Sequence, residues 1–224
     1  MRKVRGFITF LICLFPSSRV KNFSLKLLGH RVHRTAKFGS NLVLGKSTIS
    51  IGRDSIIRPF NVFRNMSLIM GEEAIIGSWN WFSAAPALLS AKNFTATFLL
   101  GNSCGINSRN YFDCSGGISF GTFSDLAGVR STFISHYIDT KTNRQTCKPI
   151  VIGERTMLSS NLIVLPGAVV GDKSLVASGT VLKSENYPSE SLIAGVPGKF
   201  KALRSGEWFD RSFGPSSVLF ADDE

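Results

Sequence analysis

The sequence predicts an all-β fold, a triangular prism of short parallel strands coiled from six-residue units. Three observations predict it. In "IGERTMLSSNLIVLPGAVVGDKSLVASGTVL" (152–182), Ile152, Leu158, Val164, Val170, Val176 and Leu182 recur every six residues. Four positions after each of the first five stand Thr156, Leu162, Ala168, Ser174 and Thr180, all small except Leu162. Gly153 and Gly171 directly follow an aliphatic residue. Six residues of α-helix turn about 600°, so an apolar set of this period would spiral round the surface. A plain alternating strand has period two. A short strand plus a corner accounts for six, with a large residue inward, a small one letting the chain turn, and a second small residue inward near the next corner. Three such units close a coil of about 18 residues, and coils stack as parallel strands roughly 4.8 Å apart.

Residues 1–40 form a basic, partly helical segment ahead of this prism. The apolar run Phe7–Phe15 is nine residues long, about half of what a membrane-spanning helix needs. It resembles a secretory leader, but no A-x-A-like site follows. After Pro16, apolar Val20, Phe23, Leu27 and Leu28 interleave with Arg19, Lys21, Lys26 and Arg31. That spacing predicts an amphipathic helix with a basic polar face. Such a helix either makes peripheral contact with an anionic membrane through residues 1–34 or caps the core and carries solvated lysines. His30 and His33 are expected on the basic face and not as ligands.

The prism itself spans 41–204. Ile51, Ile57 and Phe63 keep the six-residue step. After a one-residue slip come Met70, Ile76, Phe82, Leu88, Phe94, Leu100, Ile106 and Phe112. A two-residue insertion in "CSGG" resets the count to Phe120, Leu126 and Thr132. "WNWFSAAPALLSAKNF" (79–94) keeps the arithmetic without the glycines and is a candidate loop. Nineteen residues separate Thr132 from Ile152, so 135–149 is expected to leave the prism as an extended loop. Residues 205–224 are a C-terminal tail.

The net charge of +11 is not spread over the chain. Residues 1–53 hold eleven Lys or Arg and no Asp or Glu, and the rest holds fifteen of each sign. A neutral body argues against nucleic-acid binding. The four cysteines, Cys13, Cys104, Cys114 and Cys147, form no CxxC pair, and three histidines are too few to complete a zinc site with them. Free thiols in a reducing compartment are the economical reading.

The hexads, followed by "AGVPGKFKALR" (194–204), resemble the hexapeptide-repeat acyltransferases, closest to the branch of maltose, galactoside and surface-polysaccharide O-acetyltransferases. The resemblance covers about residues 42–204. It implies a left-handed parallel β-helix, a handedness that counting residues does not supply. It further implies a homotrimer, an acyl-coenzyme A donor (most often acetyl-CoA) lying in a groove between subunits, no required metal, and a carbohydrate acceptor.

Within this frame His136 gains a role. It opens the 135–149 loop, and its counterpart in the similar enzymes acts as general base. Imidazole, with an ordinary pKa of about 6.5, is partly neutral at pH 7 and able to accept the proton an attacking alcohol must lose. On residue type alone a loop histidine is more often a surface residue. Asp139, three residues on, either holds the imidazole in one tautomer or is a solvated turn residue. Asn107 stands where the similar enzymes line the acceptor site, or is a corner residue tolerating left-handed backbone angles. Positions matching the family's donor groove are Ser160, Ser178, Lys183, Lys199, Lys201 and Arg204. Here Met157 stands where the family has tryptophan, and Lys183-Ser184-Glu185 where it has "TKD". No feature marks a cysteine as activated, which favours direct transfer over an acyl-cysteine intermediate.

The acceptor is read from Trp79, Asn80 and Trp81, an aromatic–polar cluster able to stack on a sugar ring or to pack in the core. The expected activity is O-acetylation of a sugar in a surface polysaccharide or its precursor. The alternatives are N-acetylation of an amino sugar and a non-catalytic β-helix subunit. The need for coenzyme A places the protein in the cytoplasm, at the inner face of the membrane if residues 1–34 bind lipid. Zinc-dependent carbonic anhydrases of similar shape need several histidines around the metal, and the prism has one.

Overall fold

The computed structural model describes residues 2–91 and 93–212, with side chains from residue 4 onward. Its body is three parallel sheets stacked in register, as in a left-handed β-helix. Face A runs from Arg31–Val32 through Thr97–Leu100 and Ile150–Ile152 to Asn186–Tyr187. Face B runs from Lys37–Phe38 through Gly105–Ile106 and Met157–Leu158 to Ser191–Ala194, and face C from Leu42–Leu44 through Tyr111–Asp113 to Val181–Leu182. Each coil passes A, B, C, so residues 18 to 20 apart commonly lie side by side, and 31 or 32 apart where the hairpin intervenes.

The hexads do what their period requires. Ile152, Leu158, Val164, Val170, Val176 and Leu182 are all at most 1% exposed, and Thr156, Leu162, Ala168, Ser174 and Thr180 are fully buried at the corners between them. The glycines after the aliphatic positions permit the stacking: a Cβ on Gly153 would sit 2.6 Å from the backbone N of Asp172 in the next coil. At the A-to-B corner, Asp54, Glu73, Ser103, Phe123, Arg155, Lys173 and Glu190 all take left-handed angles, φ 52–61°. Upstream the prism is filled by phenylalanine. Phe63, Phe82 and Phe112 stack at 5.0 and 4.6 Å between centroids, and Phe133 continues the row 4.9 Å beyond.

Two expectations of register fail. The inward residue after Leu126 is Phe133, with Thr132 turned outward. The turn there carries one extra residue, with Arg130 in the left-handed region (φ 60°). Leu88 and Phe94 match the six-residue count by coincidence, because the chain leaves the prism after Ser83 and returns at Thr97. Leu88 lies in the short 3-10 turn Pro86–Leu88, and Phe94 packs against the core from outside the coil. The segment 135–149 is ordered as an antiparallel hairpin, His136–Asp139 with Arg144–Cys147.

The N-terminus folds as two helices, α1 (Arg2–Cys13) and α2 (Arg19–Leu27), closing the first coils. Their polarity is the reverse of the expectation. Lys21, placed on a solvated basic face by the sequence, is 3% exposed. Its ammonium donates to the carbonyls of Cys13, Phe15 and Gly39 at 2.7–3.1 Å. Burial, which outweighs the other influences, lowers its pKa to about 8. His30 is likewise buried, between the Thr9 hydroxyl and the Ile49 amide. Among the described residues no helix is long and apolar enough to cross a membrane.

After Ala194 the chain turns back. Lys199–Leu203 pairs antiparallel on face B, and the next residues climb the prism to bury Phe209 and Arg211.

Candidate active site

His136 emerges at the C-to-A edge, where the last strand of one coil ends and the hairpin begins. Its side chain is 37% exposed. Nδ1 lies 2.6 Å from Oδ2 of Asp113, which stands one coil away on the neighbouring strand of face C. Nε2 has no hydrogen-bond partner among the described residues, so it is the nitrogen available to a ligand.

Asp113 is built into the prism. Its carboxylate accepts from the Ser115 amide (3.2 Å) and hydroxyl (2.6 Å) and from the Ser135 amide (2.9 Å). Burial alone would raise its pKa; the bonds from Ser115 and His136 and the charge of a protonated His136 outweigh that and hold it below the usual carboxylate range. A fixed acceptor at Nδ1 keeps the neutral ring's proton there and leaves Nε2 with its lone pair, the form a general base needs.

This pairing corrects one candidate and supplies another. Asp139 does not touch the imidazole. It stands half-exposed near the hairpin tip, accepting from the Lys141 amide and the Thr142 hydroxyl at 2.9 Å each, and these bonds lower its pKa. It is the turn residue of the two readings. Asp113 is not marked by its own neighbours in sequence, although coil arithmetic reaches it: a residue just after inward Phe112 lies one coil from the strand that ends at Ile134.

Trp79, Asn80 and Trp81 all border one cleft, and they differ in exposure. Asn80 is 1% exposed and belongs to an internal ladder. Its Oδ1 accepts from the Asn110 amide at 2.9 Å, and its own amide donates to Asn61 at 2.9 Å. Its side-chain groups are committed to this ladder. Trp79 stacks on Phe60 at 4.7 Å, and Trp81 stands outward on face C beside Tyr111. The three aromatic rings Phe60, Trp79 and Trp81 line a cleft of about 520 Å³ with Leu14 and Leu42.

All four cysteines are buried and free. Burial pushes the Cys104 thiol up to about 12 and raises those of Cys114 and Cys147, so none is poised as a nucleophile. Among the described residues no group of three or more His, Cys, Asp or Glu is arranged to hold a metal.

No family model matches the chain. Two curated relatives share segments with it. WbbJ of Escherichia coli (strain K12), named as an O-acetyl transferase of lipopolysaccharide biosynthesis, is 40% identical over 50 residues, 22% of this chain and 25% of the relative. YvoF of Bacillus subtilis (strain 168), named as an acetyltransferase, is 28% identical over 80 residues, 36% of this chain and 44% of the relative. The chain therefore matches less than half the length of either. Among solved structures, the hexapeptide-repeat containing acetyltransferase VCA0836 of Vibrio cholerae superposes with a TM-score of 0.50 at 18% identity, covering 92% of this chain and 91% of that one. The chain has the fold of the hexapeptide-repeat acetyltransferases. The polysialic acid O-acetyltransferase OatWY gives 0.55 at 18% identity, covering 84% and 90%. AntD of Bacillus cereus, an N-acyltransferase solved with dTDP and coenzyme A, gives 0.50 at 15% identity, covering 73% and 86%.

On this fold the remaining candidates fall on different edges of the triangle. Asn107, Ser160 and Ser178 all lie at the B-to-C edge, Ser160 two coils beyond Asn107 and Ser178 in the coil after that. Lys199 joins them, opposite Ala194 at the end of face B. Asn107 donates to the Ala127 carbonyl at 2.8 Å and borders a cleft of about 500 Å³ with Arg58, Asp125, Met157 and Trp208. Lys201 lies on the outer strand of face B, and Arg204 at its far end, where its amide donates to the Glu190 carbonyl. Lys183 is on the C-to-A edge with His136, in an ion pair with Glu185 at 2.7 Å. Six residues of face C separate Asn107 from Asp113, up to roughly 20 Å of extended chain. One chain does not bring the base and the Asn107 cleft together.

Proposed function

We propose that this protein is an acyl-CoA-dependent O-acyltransferase, transferring an acetyl group to a sugar hydroxyl of a surface polysaccharide or its precursor, with His136 as general base. The observation that carries it is the half-exposed His136, oriented by buried Asp113 on this fold. Nε2 takes the hydroxyl proton as the oxygen attacks the thioester carbonyl. The C–S bond breaks, and the proton passes to the departing sulfur, leaving free coenzyme A and a sugar ester. A positioned base contributes about 10²- to 10⁴-fold to such a step. The likeness to OatWY and the segment shared with WbbJ support a polysaccharide acceptor. The outward Trp81 and Tyr111 offer faces for a sugar ring.

The smooth B-to-C edge suits the pantetheine arm of acetyl-CoA: a Cβ on Gly179 would meet nothing within 4 Å. Ser160, Ser178 and Lys199 would line the donor there. Because that edge and His136 are far apart in one chain, the complete site forms between copies, in a ring of three with edge meeting edge. The reaction belongs in the cytoplasm, where acyl-CoA is made and used.

Turnover of acetyl-CoA on a panel of bacterial glycans tests the proposal. Acceptor-dependent thiol release that disappears in His136→Ala supports it. Absence of coenzyme A binding and of any effect of the substitution would leave a non-catalytic subunit. The likeness to AntD favours the second reading, transfer to an amine. Hydroxylamine treatment of the product separates them, since it cleaves an ester and spares an amide.

A further inference from the structure

We propose that the two N-terminal helices form a docking face for an anionic lipid surface, set at one end of the prism. The inverted polarity of the helices points to it. α2 turns Lys21 and Asn22 inward beside Leu25; Lys21 binds three carbonyls and Asn22 donates to the carbonyls of His33 and Ala36 at 3.2 and 2.8 Å. These bonds fix the helix in a pose that sends Val20, Phe23 and Leu27 outward, 62–74% exposed. α1 does the same: Thr9 and Cys13 are buried against the prism, while Val4, Phe7, Ile8 and Leu11 face out, 39–62% exposed.

The two stripes are one surface. Val4 and Ile8 of α1 and Leu27 and Leu28 next to α2 line a single shallow depression with Arg5. Exposed apolar residues scattered singly are ordinary, but a continuous patch on two adjoining helices marks a contact site. Cys13 and Leu25 join the core and close the first coils, but the outward apolar residues are surplus to that cap and remain exposed.

Charge selects the occupant. The first 53 residues contain no Asp or Glu. Arg5, Arg19, Lys26 and Arg31 are exposed, and none has an acidic partner among the described residues. Apolar side chains that enter the acyl boundary, with guanidinium and ammonium groups around them at headgroup level, are complementary to an anionic bilayer. A purely apolar partner surface would leave those cations unanswered.

Flotation of the full-length chain with phosphatidylcholine vesicles, with and without phosphatidylglycerol, tests this. Binding is expected on the anionic vesicles, weakened by high salt. It is expected to fall at least about tenfold in Phe7→Ser/Phe23→Ser/Leu27→Ser. A similar fall is expected in Lys26→Glu/Arg31→Glu, which keeps the apolar patch and guards against a folding defect in the first variant. Thermal melts of both variants should match the parent. The proposal is overturned if the parent ignores both vesicles, or if either folded variant binds as the parent does. It is also overturned if the patch only drives self-association, seen as a larger sedimenting species that the triple variant abolishes without any lipid binding.

Discussion

His136 and Asp113 are 23 residues apart in sequence and 2.6 Å apart in space, because one turn of the coil separates them. In the proposed reaction the carboxylate positions and the imidazole reacts, so their substitutions should differ in kind. His136→Ala is expected to lower kcat about 10²- to 10⁴-fold with little change in melting temperature. Asp113→Asn is expected to lower kcat roughly 10- to 10³-fold with KM nearly unchanged. The asparagine amide can donate to Nδ1 and so select the tautomer whose Nε2 already bears a proton. Nitrogen NMR of the ring should show the proton on Nδ1 in the parent and on Nε2 in the variant. An unaltered tautomer would assign Asp113 to structure alone.

A site shared between copies makes a second prediction. Chains carrying His136→Ala and chains carrying Asn107→Ala should each be weak or inactive alone. Unfolded together and refolded, they should regain about one quarter of parental activity, because a random ring then pairs an intact His136 edge with an intact Asn107 edge at one contact in four. No recovery on mixing would put both residues in one chain's site or remove Asn107 from it.

The parts of this molecule that are legible in sequence are those governed by a repeat. From 152 to 182 each side chain's direction follows from its position modulo six, because stacked coils force it. The reading fails where the count is kept by chance, at Leu88 and Phe94, or lost to one inserted turn residue, at Thr132. It fails again where a polar group is internal. Lys21 and Asn80 look solvent-bound by type, yet each is satisfied by partners at least 6 residues away. His136 is legible as a candidate through its place at the exit of the prism. Asp113 is not, because its contact with the imidazole depends on the neighbouring coil and not on its own neighbours in sequence.

The ladder that holds Asn80 gives a third test, separating stability from recognition. Asn80→Ala removes the acceptor for the Asn110 amide and the side-chain donor to Asn61 Oδ1, while the backbone amide of residue 80 still donates to Asn61. Each buried group left unpaired costs about 1–3 kcal/mol. Urea unfolding should move to clearly lower midpoint, while KM for the acceptor in the surviving folded protein stays near the parental value. Trp81→Ala should do the opposite, raising KM with a small loss of stability. If Asn80→Ala raises KM and leaves unfolding untouched, the asparagine is a ligand after all.

His30 sets the pH dependence of the N-terminal cap. The Ile49 amide donates to Nδ1 at 3.2 Å, so the ring's single proton sits on Nε2 and is donated to Thr9 at 3.1 Å. A second proton would face the Ile49 N–H head-on. Burial, reinforced by the charge of Arg5, lowers the pKa from 6.5 to about 4. The unfolded chain therefore binds this proton more readily than the folded one between those values. The contribution is fully present above pH 6.5 and is lost as pH falls toward 4, by up to about 3 kcal/mol. Asp125, raised to about 6 chiefly by burial despite Arg211 at 2.9 Å, works in the opposite direction over part of that window. The measurement is therefore a difference. Urea midpoints of the parent and of His30→Gln, whose amide oxygen can still accept from Ile49, should diverge as pH is lowered from about 7 to 4.5, with the parent losing more stability. Parallel curves would show that His30 does not carry the acid sensitivity of the cap.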